Sequence, residues 1–287
     1  GGRAAPMSTA SAAALQAELY AGVASALAAY FEGLHRCDVD RLQEVWHPEG
    51  HLYGIAPDGQ SVVDRDAPAF FAGVARRGNS EHLAEHDRIV KIDTAGPRCA
   101  VAKVQIALPP APASPTPTHT DVLYTDFLVL LRLGGRWRIV SKVFSAAPLA
   151  QSSYHEPSAP AVACAEPAEG VVAYLRGGHL SQPQVMAESW HEVARLLYAD
   201  DGGELVLCSR DAFFERVRAR AVTAEDPAAL QFDKVVSVDK AGADVALVKL
   251  QIGYPPILYT DVLSMLRLGS RWWIVAKSSD CEPFRAA

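Results

Sequence analysis

Apolar residues recur at every third or fourth position from Leu15 through Leu19, Val23, Leu27 and Tyr30 to Leu34, which predicts a helix with one buried stripe. Asp38 stands where it can cap a second short helix carrying Val39, Leu42, Val45 and Trp46, with Pro48 and Gly50 as its stop. His51-Leu52-Tyr53 then opens a short strand. Asp66 can cap a third helix, with Pro68 in its first turn and Phe70, Phe71 and Val74 turned inward. From His86 onward the spacing becomes strand-like over 89–92, 99–108, 122–133 and 137–144, the last two strands joined by Gly134-Gly135. Helices followed by a meander of strands predict an α+β fold.

The same pattern runs twice. Tyr124 to Lys142 reads YTDFLVLLRLGGRWRIVSK and Tyr259 to Lys277 reads YTDVLSMLRLGSRWWIVAK, identical at 13 of 19 positions. Upstream, Ala29-Tyr30 matches Ala173-Tyr174, His35 matches His179, Trp46-His47 matches Trp190-His191 and Phe70-Phe71 matches Phe213-Phe214. Lys103 to Ile106 matches Lys249 to Ile252, and the loop from Pro109 to Asp121 is about eleven residues longer than its counterpart near Pro255-Pro256. Two domains are therefore expected, over 12–147 and 170–285, joined by a proline- and alanine-rich linker over 148–169.

Phe127 to Leu131 is apolar at every position, and Leu263 to Leu266 nearly so. A strand with one wet face alternates, so both faces here need cover, one from the domain's own helices and one from the equivalent face of the other copy. The chain is expected to be a self-contained pseudo-dimer packed sheet to sheet, its linker raising the effective concentration of each half for the other.

Composition narrows the function. With 49% hydrophobic and 21% charged residues among 287, each half can bury a core. A net charge of -6 without a lysine- or arginine-rich run argues against nucleic acid and anionic membrane as partners. Five cysteines without metal spacing read as reduced thiols. No apolar run reaches the roughly 18 residues of a membrane span. An intracellular, cytoplasmic location is expected, an organelle after removal of a transit peptide being the alternative. Residues 1–6, ahead of Met7, read as a cloning remnant.

Several motifs together resemble the nuclear transport factor 2-like superfamily and, within it, the lumazine-binding (SnoaL-like) group. They are the Tyr-Phe helix ending before an Asp-containing turn, the Trp-His-Pro-Glu-Gly segment and the Lys-Val-Gln-Ile strand. The Tyr-Thr-Asp strand start and the closing Gly-Gly-Arg-Trp hairpin complete the set. The match spans Leu15 to Phe144 and, more loosely, Val171 to Lys277. The resemblance implies two cone-shaped domains, each with N-terminal helices on a curved mixed or antiparallel sheet around a pocket. Members include ketosteroid isomerase-like, dehydratase-like and cyclase-like enzymes as well as non-catalytic modules, so the fold alone does not give the function.

Three groups carry candidate chemistry. His47, His51 and Tyr53 cluster where the second helix hands over to the first strand; they could transfer protons, or His47 could cap the helix and His51 be solvated. Asp126 and Tyr124, with counterparts Asp261 and Tyr259, could act as general base and hydrogen-bond donor on an apolar face. Alternatively, Asp126 could pair with Lys103 or Lys142 as a structural ion pair at the sheet edge. His82 and His86 could share a metal only if helical, with a solvated strand entrance as the alternative. Tyr30, Trp46, Phe70, Phe71, Tyr174, Trp190 and Phe213 are expected as core and pocket wall. Nucleophile, nucleotide and dinucleotide motifs are missing from the sequence. The expectation is a pocket enzyme needing neither cofactor nor metal, a cyclase, isomerase or dehydratase acting on a small apolar enolisable molecule. His47, His51, Tyr53 and Asp126 would serve catalysis, and His51 would converge with Asp126. The alternative is a non-catalytic module for a small molecule or a protein partner.

Overall fold

The computed structural model describes residues 9–110, 120–149 and 166–284. The chain folds as two α+β domains built on the same plan. In the first, α1 (Thr9–Arg36) and α2 (Val39–Gln43) precede β1 (Trp46–Ile55), β2 (Val62–Asp66) and α3 (Ala67–Ala75). A 3-10 turn (Glu81–His86) leads into β3 (Arg88–Thr94), β4 (Cys99–Leu108), β5 (Val122–Leu133) and β6 (Arg136–Pro148). The second domain has α4 (Pro167–Gly170), α5 (Val172–His179), α6 (Pro183–Met186), β7 (Trp190–Ala199), β8 (Leu205–Ser209) and α7 (Arg210–Arg218). Then come α8 (Pro227–Leu230), β9 (Lys234–Ala241), β10 (Val245–Tyr254), β11 (Ile257–Leu268) and β12 (Arg271–Pro283). Most of the expected linker, and most of the long loop after Pro109, lie outside the described residues.

Local chemistry sets the helix starts. Asp38 accepts a hydrogen bond from the Arg41 amide at 2.9 Å, and Asp66 accepts from Ala69 at 2.9 Å with Pro68 in the first turn. Leu19, Val23, Leu27, Tyr30 and Leu34 form the buried stripe of α1. His35 ties the end of α1 to Ser80 at 2.9 Å and Asp87 at 3.0 Å. His179 repeats this with Thr223 and Asp233, both at 2.7 Å.

Each sheet has six strands, in the orders β2-β1-β6-β5-β4-β3 and β8-β7-β12-β11-β10-β9. Strands β3 to β6 form the antiparallel meander, but β1 joins β6 in parallel, so the sheet is mixed. Trp46 to Gly50, expected to end α2, instead begins β1 across a register break between Trp46 and His51. The β1–β2 pairing begins only at His51, so Pro48 displaces no ladder bond there.

The strands that are apolar throughout are covered on both sides. Leu128 and Leu130 enter the core under the helices, whereas Phe127, Val129 and Leu131 join a second core shared with Leu197, Val245, Leu247, Val262 and Leu266 of the other domain. All five residues from Phe127 to Leu131 are at most 1% exposed, so each contributes about 1.5–3 kcal/mol by burial. The contacts across this interface come in two-fold pairs. Lys103 reaches Asp239 at 3.0 Å and Lys249 reaches Asp93 at 3.0 Å. The Gly134 amide bonds Gly203 O and the Gly269 amide bonds Gly59 O, each at 3.0 Å. Gly96 packs on Asp280 as Gly242 packs on Ser145. One surface meeting its own counterpart is the signature of an isologous interface, here formed within one chain.

Candidate functional site

At the base of each cone a carboxylate, a lysine and a tyrosine meet. The antiparallel registers place Lys142 opposite Leu128 and Lys277 opposite Leu263, so each lysine is a diagonal neighbour of the aspartate two residues earlier. In the second domain the Tyr174 hydroxyl donates to Asp261 Oδ2 at 2.5 Å and Lys277 Nζ donates to Oδ1 at 2.6 Å. In the first, Asp126 Oδ2 accepts from both Tyr30 at 2.8 Å and Lys142 at 2.7 Å, and Oδ1 is buried without a partner. Neither aspartate is exposed at all. Burial pulls Lys142 and Lys277 below the ordinary lysine range, with the facing carboxylate pulling back. Burial also pushes the Tyr30 and Tyr174 phenols well up, and the carboxylate adds to the rise.

Aromatic walls repeat as well: Trp46 lies on Phe70 with ring centroids 4.5 Å apart, and Trp190 on Phe213 at 5.1 Å. What fills the cones does not repeat. Strands β1 and β6 run side by side with Tyr53 opposite Val143, and β7 and β12 with Leu197 opposite Ser278. The next residues are therefore neighbours: Gly54 beside Phe144 in the first domain, Tyr198 beside Ser279 in the second. The Phe144 ring lies over Gly54, where an added Cβ would meet it at 3.0 Å. It packs 5.8 Å from the Tyr124 ring and 5.4 Å from Lys142 Nζ. In the second domain the bulky ring has moved to the neighbouring strand as Tyr198, and Ser279 leaves the space beside Lys277 open. A second exchange replaces Leu34 and Leu108 with Gly178 and Tyr254, whose hydroxyl lies against Gly178.

The result is a half-open cavity of about 300 Å³ in the second domain, within the lower range for small-molecule sites. Tyr174, Asp261 and Lys277 form one part of its wall, with Tyr254 and Tyr259 alongside. Arg216 and Arg220 also line it, and the first domain contributes Arg98. Arg98 holds Asp280 through Nη2 at 2.7 Å and through its own amide at 3.0 Å, and Asp201 through Nη1 at 2.6 Å.

The expected catalytic residues do not meet. His51 and Tyr53 share one face of β1, as the two-residue period requires, but that face turns towards the other domain. Tyr53 lies in the inter-sheet core, while Leu52 faces the cone. His51 Nδ1 pairs with Asp64 at 2.6 Å and its ring stacks on Tyr53, so it stands on the opposite side of the sheet from Asp126. His47 is half-buried, and its Nδ1 accepts from the Glu49 amide at 3.1 Å; His191 repeats this with Val193 at 3.4 Å. Burial lowers the pKa of both histidines. Asp126 pairs with Lys142 at the cone base and not at a sheet edge, because Lys103 is on the interface face opposite Phe127. His82 and His86 fall on a 3-10 turn, where residues four apart do not share a face. Among the described residues no group of three or more His, Cys, Asp or Glu side chains could hold a metal. Trp46, Phe70, Tyr174, Trp190 and Phe213 are buried as expected, whereas Phe71, Tyr124 and Tyr259 are only partly so.

A family profile described as "Putative lumazine-binding" matches residues 19–145 and again 165–279. The chain belongs to that family. It holds two copies of the family unit, and the Tyr-Asp-Lys set of each cone lies within a matched segment. A relative named Aldolase FrzH, from Cladobotryum sp, is 28% identical over 130 residues, 45% of this chain and 92% of that protein. Among solved structures, an NTF2-like protein of unknown function from Shewanella baltica OS155 matches at 20% identity and a TM-score of 0.38, over 46% of this chain and 96% of that one. A ketosteroid isomerase-like protein from Erwinia carotovora atroseptica SCRI1043 matches at 17% identity and a TM-score of 0.34, over 45% and 96%. No helix among the described residues is long and apolar enough to cross a membrane. Sequence reasoning missed Arg98, Tyr198, Arg216, Arg220, Tyr254 and Ser279. The signal available for Tyr198 and Ser279 was their divergence from Gly54 and Phe144 in the aligned copies.

Proposed function

We propose that the cavity of the second domain is the working site, a cofactor-independent acid–base pocket for a small enolisable carbonyl compound. One observation carries this reading: a carboxylate closed to bulk water stands in the wall of an aromatic cavity, bonded to an ammonium and a phenol. Asp261 accepts the proton from the carbon next to the carbonyl, and the bonding pair moves into the enolate. Lys277, which spends one of its three N–H groups on Asp261, donates another towards the oxygen on which charge develops, where exclusion of water strengthens the contact. Tyr174 keeps its single hydrogen on the carboxylate and orients it. Proton return to another carbon gives isomerisation; attack of the enolate on a second carbonyl opens that C=O bond to an alkoxide, which takes the proton held by Asp261, and gives ring closure or an aldol bond. The name of the Cladobotryum relative supports this class of chemistry. The acid–base role expected of Asp126 thus passes to its counterpart Asp261, because Phe144 occupies the first cone.

The test is deuterium exchange at the α-carbons of 2-indanone in D2O, followed by proton NMR. The chain is expected to accelerate exchange, and Asp261→Asn to slow it by roughly 100-fold or more. With both variants compared at a temperature where circular dichroism shows them folded, Asp126→Asn is expected to leave the rate within a few-fold, roughly the scale of an indirect effect. A rate indifferent to Asp261→Asn would refute the proposal. One observation favours a second reading, binding without turnover: both Asp261 oxygens are already engaged, and the same triad stands in the filled cone. Saturable binding of 2-indanone with no exchange would support that reading instead.

A further inference from the structure

We infer that the ligand of the second cavity carries an anionic group of carboxylate type, gripped by Arg216 and Arg220. The inference rests on that cavity being the working site and adds the class of molecule it takes: a small, flat, apolar body with a carbonyl near Lys277 and a carboxylate near the arginines.

Lys277 is matched by Asp261, and Arg98 by Asp280 and Asp201. Arg216 and Arg220 line the same cavity, and among the described residues neither has a carboxylate partner. Arg216 reaches only the Tyr198 hydroxyl, at 3.4 Å, and Arg220 lies 4.7 Å over the Tyr254 ring and 5.7 Å over Phe213. The other arginines of α7 are handled differently: Arg210 pairs with Asp211 and Arg218 with Glu215. Acidic residues are thus available on this helix, yet Arg216, exposed at the edge of the cavity, and Arg220, partly buried in its wall, stay uncompensated.

The internal repeat supplies a control. Gly73 occupies the position of Arg216 in the filled cone, and Arg77 that of Arg220, 5.7 Å over the Tyr124 ring. The extra arginine therefore stands where Ser279 opens the space and is missing where Phe144 closes it. Uncompensated positive charge in a concave, partly desolvated site concentrates an anion, and a guanidinium fork matches a carboxylate in two parallel bonds. The aromatic walls suit the flat apolar remainder.

The probes are 2-naphthoate and its neutral isostere 2-naphthamide, titrated calorimetrically into the full chain. The acid is expected to bind roughly tenfold or more tightly than the amide, and the preference to shrink as salt rises. Arg216→Gln, at an exposed position that the fold does not need, is expected to cut the preference severalfold, and Arg216→Gln/Arg220→Gln to abolish it. Equal binding of acid and amide would overturn the inference, as would an acid preference that survives in the double variant. Ser279→Phe must remove both probes; naphthoate binding undiminished in that variant would put the anion elsewhere and also overturn it. Because neither probe turns over, failure of 2-indanone exchange alone would sink the proposed chemistry and leave this recognition standing.

Discussion

Asp126 is wholly buried and Lys142 is 5% exposed, with Nζ among the rings of Tyr30, Phe70 and Phe144. Asp126→Asn keeps the shape and removes the charge, leaving an ammonium with no counter-charge in an apolar site. Breaking one side of such a pair costs about 3–5 kcal/mol, a large share of the roughly 5–15 kcal/mol that holds a domain folded. Tyr30→Phe removes one hydroxyl and should cost about 1–1.5 kcal/mol. Replacing all three, as Tyr30→Phe/Asp126→Leu/Lys142→Met, leaves no orphaned group and should fall within about 1–2 kcal/mol of the parent. Urea denaturation followed by far-UV circular dichroism measures all three. A loss below about 1 kcal/mol for Asp126→Asn, or a triple variant weaker than that single one, would refute the reasoning. The pH dependence has a definite sign. Burial holds Lys142 below the ordinary 10.5, so between its lowered value and 10.5 the unfolded chain binds more protons. Stability from this group therefore rises with pH through that window, and its burial cost is fully present below it. Comparison of the parent with Lys142→Met across alkaline pH should show the parent gaining.

Other outcomes follow from the interface. Gly96 has φ +101°, and an added Cβ would lie 2.6 Å from Asp280 Oδ2, so Gly96→Ala should cost about 1–3 kcal/mol in urea unfolding. Lys103→Met and Lys249→Met should cost equal amounts, about 1–2 kcal/mol each because Asp239 and Asp93 keep 21% and 27% exposure. Unequal losses in urea midpoints would count against the two-fold pairing. Arg98→Gln should weaken 2-naphthoate binding by roughly tenfold, although Arg98 belongs to the first domain and is itself matched, because it leaves Asp280 as an unpaired negative charge in the cavity wall. Calorimetric titration of that variant reads the contribution directly, and unchanged affinity would remove Arg98 from the site.

Much of the fold was legible because its signals are local or repeated. The spans of β4 and β5, the Asp66 cap and the two-sided burial of Phe127 to Leu131 follow from periodicity and side-chain chemistry alone. The short strand β2 was not visible, because Asp64, Arg65 and Asp66 make it polar and it pairs only at the sheet edge. Trp46 to Gly50 read as a helix end because the apolar spacing of Val45 and Trp46 suits a helix as well as a bulged strand. The direction of His51 depended on which parity of β1 meets the cone, and the sequence around it is apolar on both parities. The partner of Asp126 was within reach: Lys103 stands opposite Phe127, whose parity marks the interface. The open cone was out of reach, since Gly54 and Phe144 are neighbours only through a parallel pairing of strands distant in sequence.

The second cone is open because Tyr198 and Ser279 stand where the first has Gly54 and Phe144. Tyr198→Gly/Ser279→Phe rebuilds the filled arrangement inside the second domain. With an unchanged urea midpoint to show that the variant folds, titration of 2-naphthoate should fall from one bound equivalent to none. One equivalent bound at the original affinity would show that this exchange is not what opens the second cone.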